Sequence, residues 1–243
     1  MPYRAKSNNL TINKKESESL ILFPKITIFA EYWKQNSQMD FLTFRDRMHP
    51  MGCFNINQVL LWEKDFDRNN LTRWCRKGLL MKLRNQYYAF PEFRQEPDSA
   101  RYVANRIYMP SYISLHSALC FYGMIPEEVV QLTSVTTLKT AKFENAFGTF
   151  HYQNVKNSLY FGFEVLTMRD GHTFLLATPE KALLDLLYLY PFYKTVQDME
   201  ELRLDEYFMQ EELDTERLSE YLSRFGKKAL AKRVNLLLKV YGL

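Results

Sequence analysis

Asp67-Arg-Asn-Asn-Leu-Thr-Arg-Trp-Cys-Arg-Lys77, closed by Gly78 and followed by Leu79-Leu-Met-Lys-Leu-Arg-Asn-Gln-Tyr-Tyr-Ala-Phe90, is the most unbalanced stretch of the chain. Between Arg68 and Phe90 lie six basic residues, Arg68, Arg73, Arg76, Lys77, Lys82 and Arg84, and no acid. The first part predicts a helix over 67–77. Asp67 is a natural N-cap, because its carboxylate can accept from the unpaired N–H groups of a first helical turn. Leu71, Trp74 and Cys75 supply an inward face, which leaves Arg68, Asn69, Asn70, Thr72, Arg73 and Arg76 outside. Gly78 stands where a helix ends on a left-handed residue. Leu79–Phe90 alternates well enough for a two-stranded hairpin.

Upstream, Phe41, Phe44 and Met48 predict a short helix ended by His49-Pro50-Met51-Gly52. Asn57 is expected to cap a second helix carrying Val59, Leu60 and Trp62. Helix, helix, turn, helix, hairpin is the order of a winged helix-turn-helix, placed at residues 37–92. In that arrangement the last helix enters a major groove of double-stranded DNA and the hairpin meets flanking phosphates. Arg68, Asn69, Asn70 and Arg73, with Thr72 beside them, are the types suited to base edges. Arg76, Lys77, Lys82 and Arg84 suit phosphates. The competing reading is an ordinary solvated amphipathic helix. Residues 1–36 form an N-terminal arm, polar to residue 19. A short helix is expected from Pro24 to Gln35, where Ile26, Phe29, Ala30 and Trp33 recur at helical spacing.

Downstream of a Pro91–Pro97 linker the pattern is mixed. Asp98 or Ser99 opens a helix to Ile107. Ser111 to Phe121 reads as another, with Ser114 as its N-cap. Val129–Thr137 and Gly148–Val155 read as strands. Phe161–Met168 and His172–Ala177 flank Asp170-Gly171, a strong hairpin signal. Thr178-Pro179-Glu180 starts a helix with a hydroxyl cap, a proline at the first position and an acid in the first turn. Residues 199–241 read as helical, with a break near Phe225-Gly226. The fold class is therefore α+β: the winged helix-turn-helix, then a mixed domain over 98–243 with a small antiparallel sheet and a helical C-terminus. Lys181 and Asp185, four apart, can pair on one helix face. Glu180 and Asp185 do not face each other and make a poor acid–base couple. Residues 198–220 hold ten acids against Arg203 and Arg217, and residues 221–243 hold six bases and no acid. These two segments are expected to neutralise each other within the fold.

A net charge of +4 over 243 residues is too weak to imply nucleic acid; the clustering of the bases carries that argument. Cys53, Cys75 and Cys120 are too few and too scattered for a disulfide framework, which fits a cytoplasmic protein. No signal peptide is recognisable. The apolar runs Leu20–Ala30 and Ala182–Tyr193 fall short of the roughly 20 residues of a membrane helix. The eight glycines form no dinucleotide or phosphate loop. His49, His116, His151 and His172 have no zinc spacing with a cysteine. Neither enzyme chemistry nor a cofactor or metal is expected.

Three segments together resemble the AbiEi-type antitoxins of type IV, abortive-infection toxin–antitoxin systems. They are Phe66-Asp-Arg-Asn-Asn-Leu-Thr-Arg-Trp74 with Lys77-Gly-Leu-Leu80, Tyr112-Ile-Ser-Leu-His-Ser-Ala-Leu119 with Tyr122-Gly-Met124, and Ala177-Thr-Pro-Glu-Lys-Ala-Leu-Leu-Asp-Leu186. The last is the most specific, and the resemblance spans roughly residues 40–243. It implies a winged-helix domain that binds operator repeats upstream of its own operon and represses it. It also implies a C-terminal domain with antitoxin activity against a nucleotidyltransferase toxin, countered without direct binding being required. Ser114, Glu180, Lys181 and Asp185 are the matched positions in that domain. The chain departs from the pattern in the wing, where no glycine precedes the tyrosines of Arg84-Asn85-Gln86-Tyr87-Tyr88. The alternatives are a solitary transcriptional regulator, or a protein-interaction module whose basic helix is only solvated.

Overall fold

Capping chemistry sets the boundaries around the basic segment. A computed structural model describes residues 39–126 and 130–243. The 1–36 arm with its expected helix, and Val129, lie outside the described residues. Met1–Phe44 and Arg45–Leu243 group as separate units. Of the first, only residues 39–44 are described, and they include the start of α1 (Phe41–Met48). β1 (Cys53–Asn55) and α2 (Ile56–Trp62) follow. The cap of α2 is Asn55 rather than Asn57. Its side chain accepts from Gln58 N at 3.1 Å while Gln58 Oε1 accepts from Asn55 N at 2.8 Å. This reciprocal capping box is open only to the residue three places before Gln58.

α3 (Asn69–Arg76) is the basic helix, slightly shorter than the 67–77 expected. Asp67 Oδ1 accepts from Asn69 N at 2.9 Å. At the other end Gly78 takes φ +70, and its N–H bonds Cys75 O while Leu79 N bonds Trp74 O. This pairing satisfies two of the last orphan carbonyls, and its left-handed residue suits glycine. β2 (Met81–Arg84) and β3 (Tyr87–Ala89) form the expected hairpin. With β1 they make a three-stranded sheet, order β1-β3-β2. Gln86 holds the turn at φ +69, the conformation in which a glycine would be unstrained.

α4 (Ser99–Ile107) leads into a sheet of six strands. These are β4 (Ser111–Ile113), β5 (Gln131–Thr136), β6 (Ala141–Asn145), β7 (Gly148–Asn154), β8 (Phe163–Thr167) and β9 (Thr173–Ala177). Between β4 and β5 runs the short helix α5 (His116–Phe121). The sheet order is β6-β7-β5-β4-β9-β8, with β5·β7 and β4·β9 parallel. It is therefore larger than the small antiparallel sheet expected, and mixed. Alternation along a strand reveals the strand but not its partner, and neither parallel pair is joined by a tight turn.

α6 (Pro179–Leu189) is enclosed from Glu180 to Leu187. Its three buried charged residues, Glu180, Lys181 and Asp185, need partners inside the protein, and the remaining positions are apolar. Ala182, Leu183, Leu184, Leu186 and Leu187 accordingly pack into the core. α7 (Val196–Glu200), a π-helical turn at Phe208–Glu212, α8 (Thr215–Phe225) and α9 (Lys228–Val240) complete the chain. One continuous apolar core runs from Cys53, Leu83 and Ala89 to Tyr241, so residues 45–92 share it with residues 98–243. Among the described residues no ion pair joins the acids of 198–220 to the bases of 221–243, contrary to expectation. The two segments meet through apolar packing and Tyr241. Its hydroxyl accepts from Leu204 N at 3.0 Å and donates to Met199 O at 3.3 Å. No described helix is long and apolar enough to cross a membrane.

Candidate functional site

At 100° per residue, Asn69, Thr72, Arg73 and Arg76 fall within about 100° of one another around α3. That stripe faces outward. Asn69, Thr72 and Arg76 are exposed, as are Arg68 and Lys77 at the two ends of the helix. Arg73 is half-buried and donates through Nη2 to Asn70 Oδ1. Lys82 on β2 is exposed. Arg68, Arg76, Lys77 and Lys82 are thus the exposed cations of this segment.

Two residues leave the set. Asn70 is only 1% exposed. It lies four residues before Trp74, about 40° from it around the helix, and so belongs to the buried face with Leu71 and Trp74. Its carboxamide positions the Arg73 guanidinium instead of reaching outward. Arg84 is turned into the protein. Its Nη1 donates to Ile107 O at 2.6 Å, and its guanidinium carbon stands 4.3 Å from the Phe143 ring centroid and 4.8 Å from that of Tyr108. A bonded guanidinium stacked on two rings is unavailable to a phosphate. Arg84 thereby anchors the hairpin to the rest of the unit, together with Asn145 Nδ2, which donates to Leu83 O at 3.2 Å. A register shift between Lys82 and Arg84 breaks the alternation that would have put both on one face.

The residues carrying the resemblance in the second half meet at a different place. Lys181 and Asp185 pair on α6, and both side chains are fully enclosed. Asp185 Oδ2 also accepts from Tyr112 OH and from Ser114 Oγ, each at 2.8 Å, and Lys181 Nζ donates to Tyr112 OH at 2.8 Å. The ammonium stands 5.3, 5.1 and 5.0 Å from the ring centroids of Tyr112, Phe161 and Phe225. Burial pushes the Asp185 carboxyl up and the Lys181 ammonium down, and their mutual attraction opposes both shifts. The Tyr112 hydroxyl is pushed well above its ordinary value by burial, and further by the Asp185 charge.

Ser114 is thus not a helix cap. Residues Ser111–Ile113 are strand, the chain turns at Leu115 with φ +58, and α5 starts only at His116. The small hydroxyl of Ser114 is instead a donor to the enclosed carboxylate. Glu180, 2% exposed, accepts from Asp214 N at 3.2 Å and lies 3.5 Å from Arg217 Nη1, which ties α6 to the start of α8. With no surface of their own, Ser114, Lys181 and Asp185 bind α6 to β4. They cannot touch a macromolecule directly.

Gly162 completes the enclosure. It sits at φ +73, and a Cβ there would meet Tyr221 Cε2 at 2.9 Å and the Lys181 stem at 3.1 Å. Gly162→Ala is expected to destabilise the protein by about 2–4 kcal/mol, combining a left-handed non-glycine with overpacking. Urea denaturation checks this, and an unchanged midpoint would show that the Lys181 stem has room.

The sequence matches no family model and no curated protein.

Proposed function

We propose that residues 37–92 are a winged helix-turn-helix, residues 98–243 a second, α+β domain, and the protein a DNA-binding transcriptional repressor of its own operon. The observation that carries this reading is the outward stripe of α3, flanked by Arg68, Lys77 and the Lys82 of the hairpin. The order α1, β1, α2, α3, β2, β3 and the three-stranded sheet support it. In this reading Arg68, Asn69, Thr72 and Arg73 face base edges, and Arg76, Lys77 and Lys82 face phosphates. In the context of the resemblance, the repressor is the antitoxin of a type IV system whose toxin is a nucleotidyltransferase. The alternative is a solitary regulator; the enclosure of Ser114, Lys181 and Asp185 fits either, since the antitoxin reading does not require contact with the toxin.

Fluorescence anisotropy with the DNA upstream of its own reading frame tests the proposal. If Arg68, Arg76, Lys77 and Lys82 each meet a phosphate, the plot of log affinity against log salt should fall with a slope of about −3.6. Competition with an unrelated duplex should leave binding intact at physiological salt. A flat salt dependence, or equal affinity for any duplex, removes the repressor reading. Growth rescue on co-expression with a nucleotidyltransferase toxin then separates antitoxin from solitary regulator.

A further inference from the structure

A strand at the rim of a sheet presents a row of unpaired N–H and C=O groups, and proteins blunt such rims with lysines, prolines, bulges, very short strands or covering segments. Among the described residues the two sheets end on β1, β2, β6 and β8, and the first three carry such a device. β1 is only three residues long. β2 has its register shift and the exposed Lys82. β6 has the exposed Lys142, and its last residue is tied to β2 by the bond from Asn145 to Leu83 O. β8 has none of these.

The five residues of β8, Phe163-Glu-Val-Leu-Thr167, include no proline, glycine or base, and they pair with β9 in unbroken register. Gly162 O accepts from Thr178 N, and Met168 N donates to His172 O. Bonded and non-bonded pairs alternate along an antiparallel ladder, so Glu164 and Leu166 are the residues that bond β9. Phe163, Val165 and Thr167 point their N–H and C=O groups the other way, where no strand or turn among the described residues pairs with them. The side chains leave this rim open. Val165 is 62% exposed, Glu164 and Thr167 are exposed, and Glu164 is the single charge.

We propose that β8 is the interface with a second copy of this chain, the two strands running antiparallel about a two-fold axis at Val165. A row of main-chain donors and acceptors is matched by an extended strand. A strand from another protein would leave its own far edge unpaired. A second β8 leaves none, because each copy closes the other and two six-stranded sheets become one. Outward residues can face only outward residues. With Val165 opposite its counterpart, Phe163 faces Thr167, Glu164 faces Leu166, and all five residues are paired. Sliding the strands two places one way sets Glu164 against Glu164, and like charges directly opposite repel. Sliding them two places the other way leaves Phe163 and Glu164 beyond the end of the facing strand. The inference rests on sheet topology, is independent of the DNA reading and survives its failure.

The test is sedimentation velocity of the full chain over about 1–100 μM, the range that reports an interface of micromolar affinity, with amide hydrogen exchange followed by NMR at both ends of that range. The mass should rise from monomer toward dimer, and exchange of the Phe163, Val165 and Thr167 amides should slow with it. Val165→Lys sets two ammonium groups together at the axis and should weaken association about 10-fold or more. Leu61→Lys, at an 84% exposed position on α2, should leave association unchanged. Thr167→Lys, also at an exposed position, carries the test if Val165→Lys does not fold. A chain that is still monomeric at about 100 μM overturns the proposal. So does a dimer that the folded lysine variants leave intact, or one whose formation does not protect the three amides. Protection of these amides already in the monomer overturns it as well, since another segment of the chain would then cover the edge.

Discussion

Asp185→Ala is expected to lower stability by about 3–5 kcal/mol, because it leaves the Lys181 ammonium buried with no counter-ion. The carboxylate accepts from three donors, Lys181 Nζ, Tyr112 OH and Ser114 Oγ. Its removal orphans groups on α6, on β4 and just beyond it. A loss of this size is a large fraction of the total stability of an ordinary domain. Thermal or urea denaturation reads it directly, and a drop below about 1 kcal/mol would show that water reaches the ammonium, contrary to its complete enclosure.

The same variant bears on what the resemblance implies for these positions. Loss of toxin rescue in Asp185→Ala would not by itself locate a functional group, since an unfolded α6 gives the same result. The double substitution Lys181→Met with Asp185→Leu separates the two causes. Replacing both partners of a buried pair with apolar residues of similar volume is often close to neutral, whereas removing one is not. If the pair only ties α6 to β4, the double variant recovers most of the stability lost in Asp185→Ala and keeps rescue. A stable double variant without rescue would give the pair a role beyond packing.

The features legible in the sequence are those whose causes are local. Asp67 before the basic helix, Gly78 after it, Asp170-Gly171 between two strands and Thr178-Pro179 at the head of α6 all act within a few residues of themselves. Each is found within a residue or two of its expected place. Tertiary partners decided the rest. Arg84 looks like Lys82 in sequence, but a break in register and the rings of Tyr108 and Phe143 turn it inward. Ser114 has the composition of a cap, yet its partner Asp185 lies 71 residues away. Asn70 differs from Asn69 only by 100° around the helix, enough to bury it. The Lys181–Asp185 pair was visible through its spacing, but its complete enclosure was not.

Arg76→Glu combined with Lys77→Glu should weaken operator binding by about 100-fold and reduce the salt slope by about two or more, since two phosphate contacts are removed and replaced by repulsion. Both side chains are exposed at the end of α3, and neither ends in an ion pair among the described residues. The fold should therefore tolerate the reversal, with a change in stability of about 0.5 kcal/mol or less, as for surface sites generally. Arg84→Gln gives the opposite pattern. Its guanidinium bonds Ile107 O and stacks on two rings, so it should cost stability while leaving the salt slope unchanged. The contrast distinguishes cations that face DNA from one that holds the hairpin in place. An unchanged affinity in the double glutamate variant, with the salt slope intact, would mean that α3 does not lie against the duplex. A reduced slope in Arg84→Gln would mean that the hairpin is free enough for that guanidinium to swing outward.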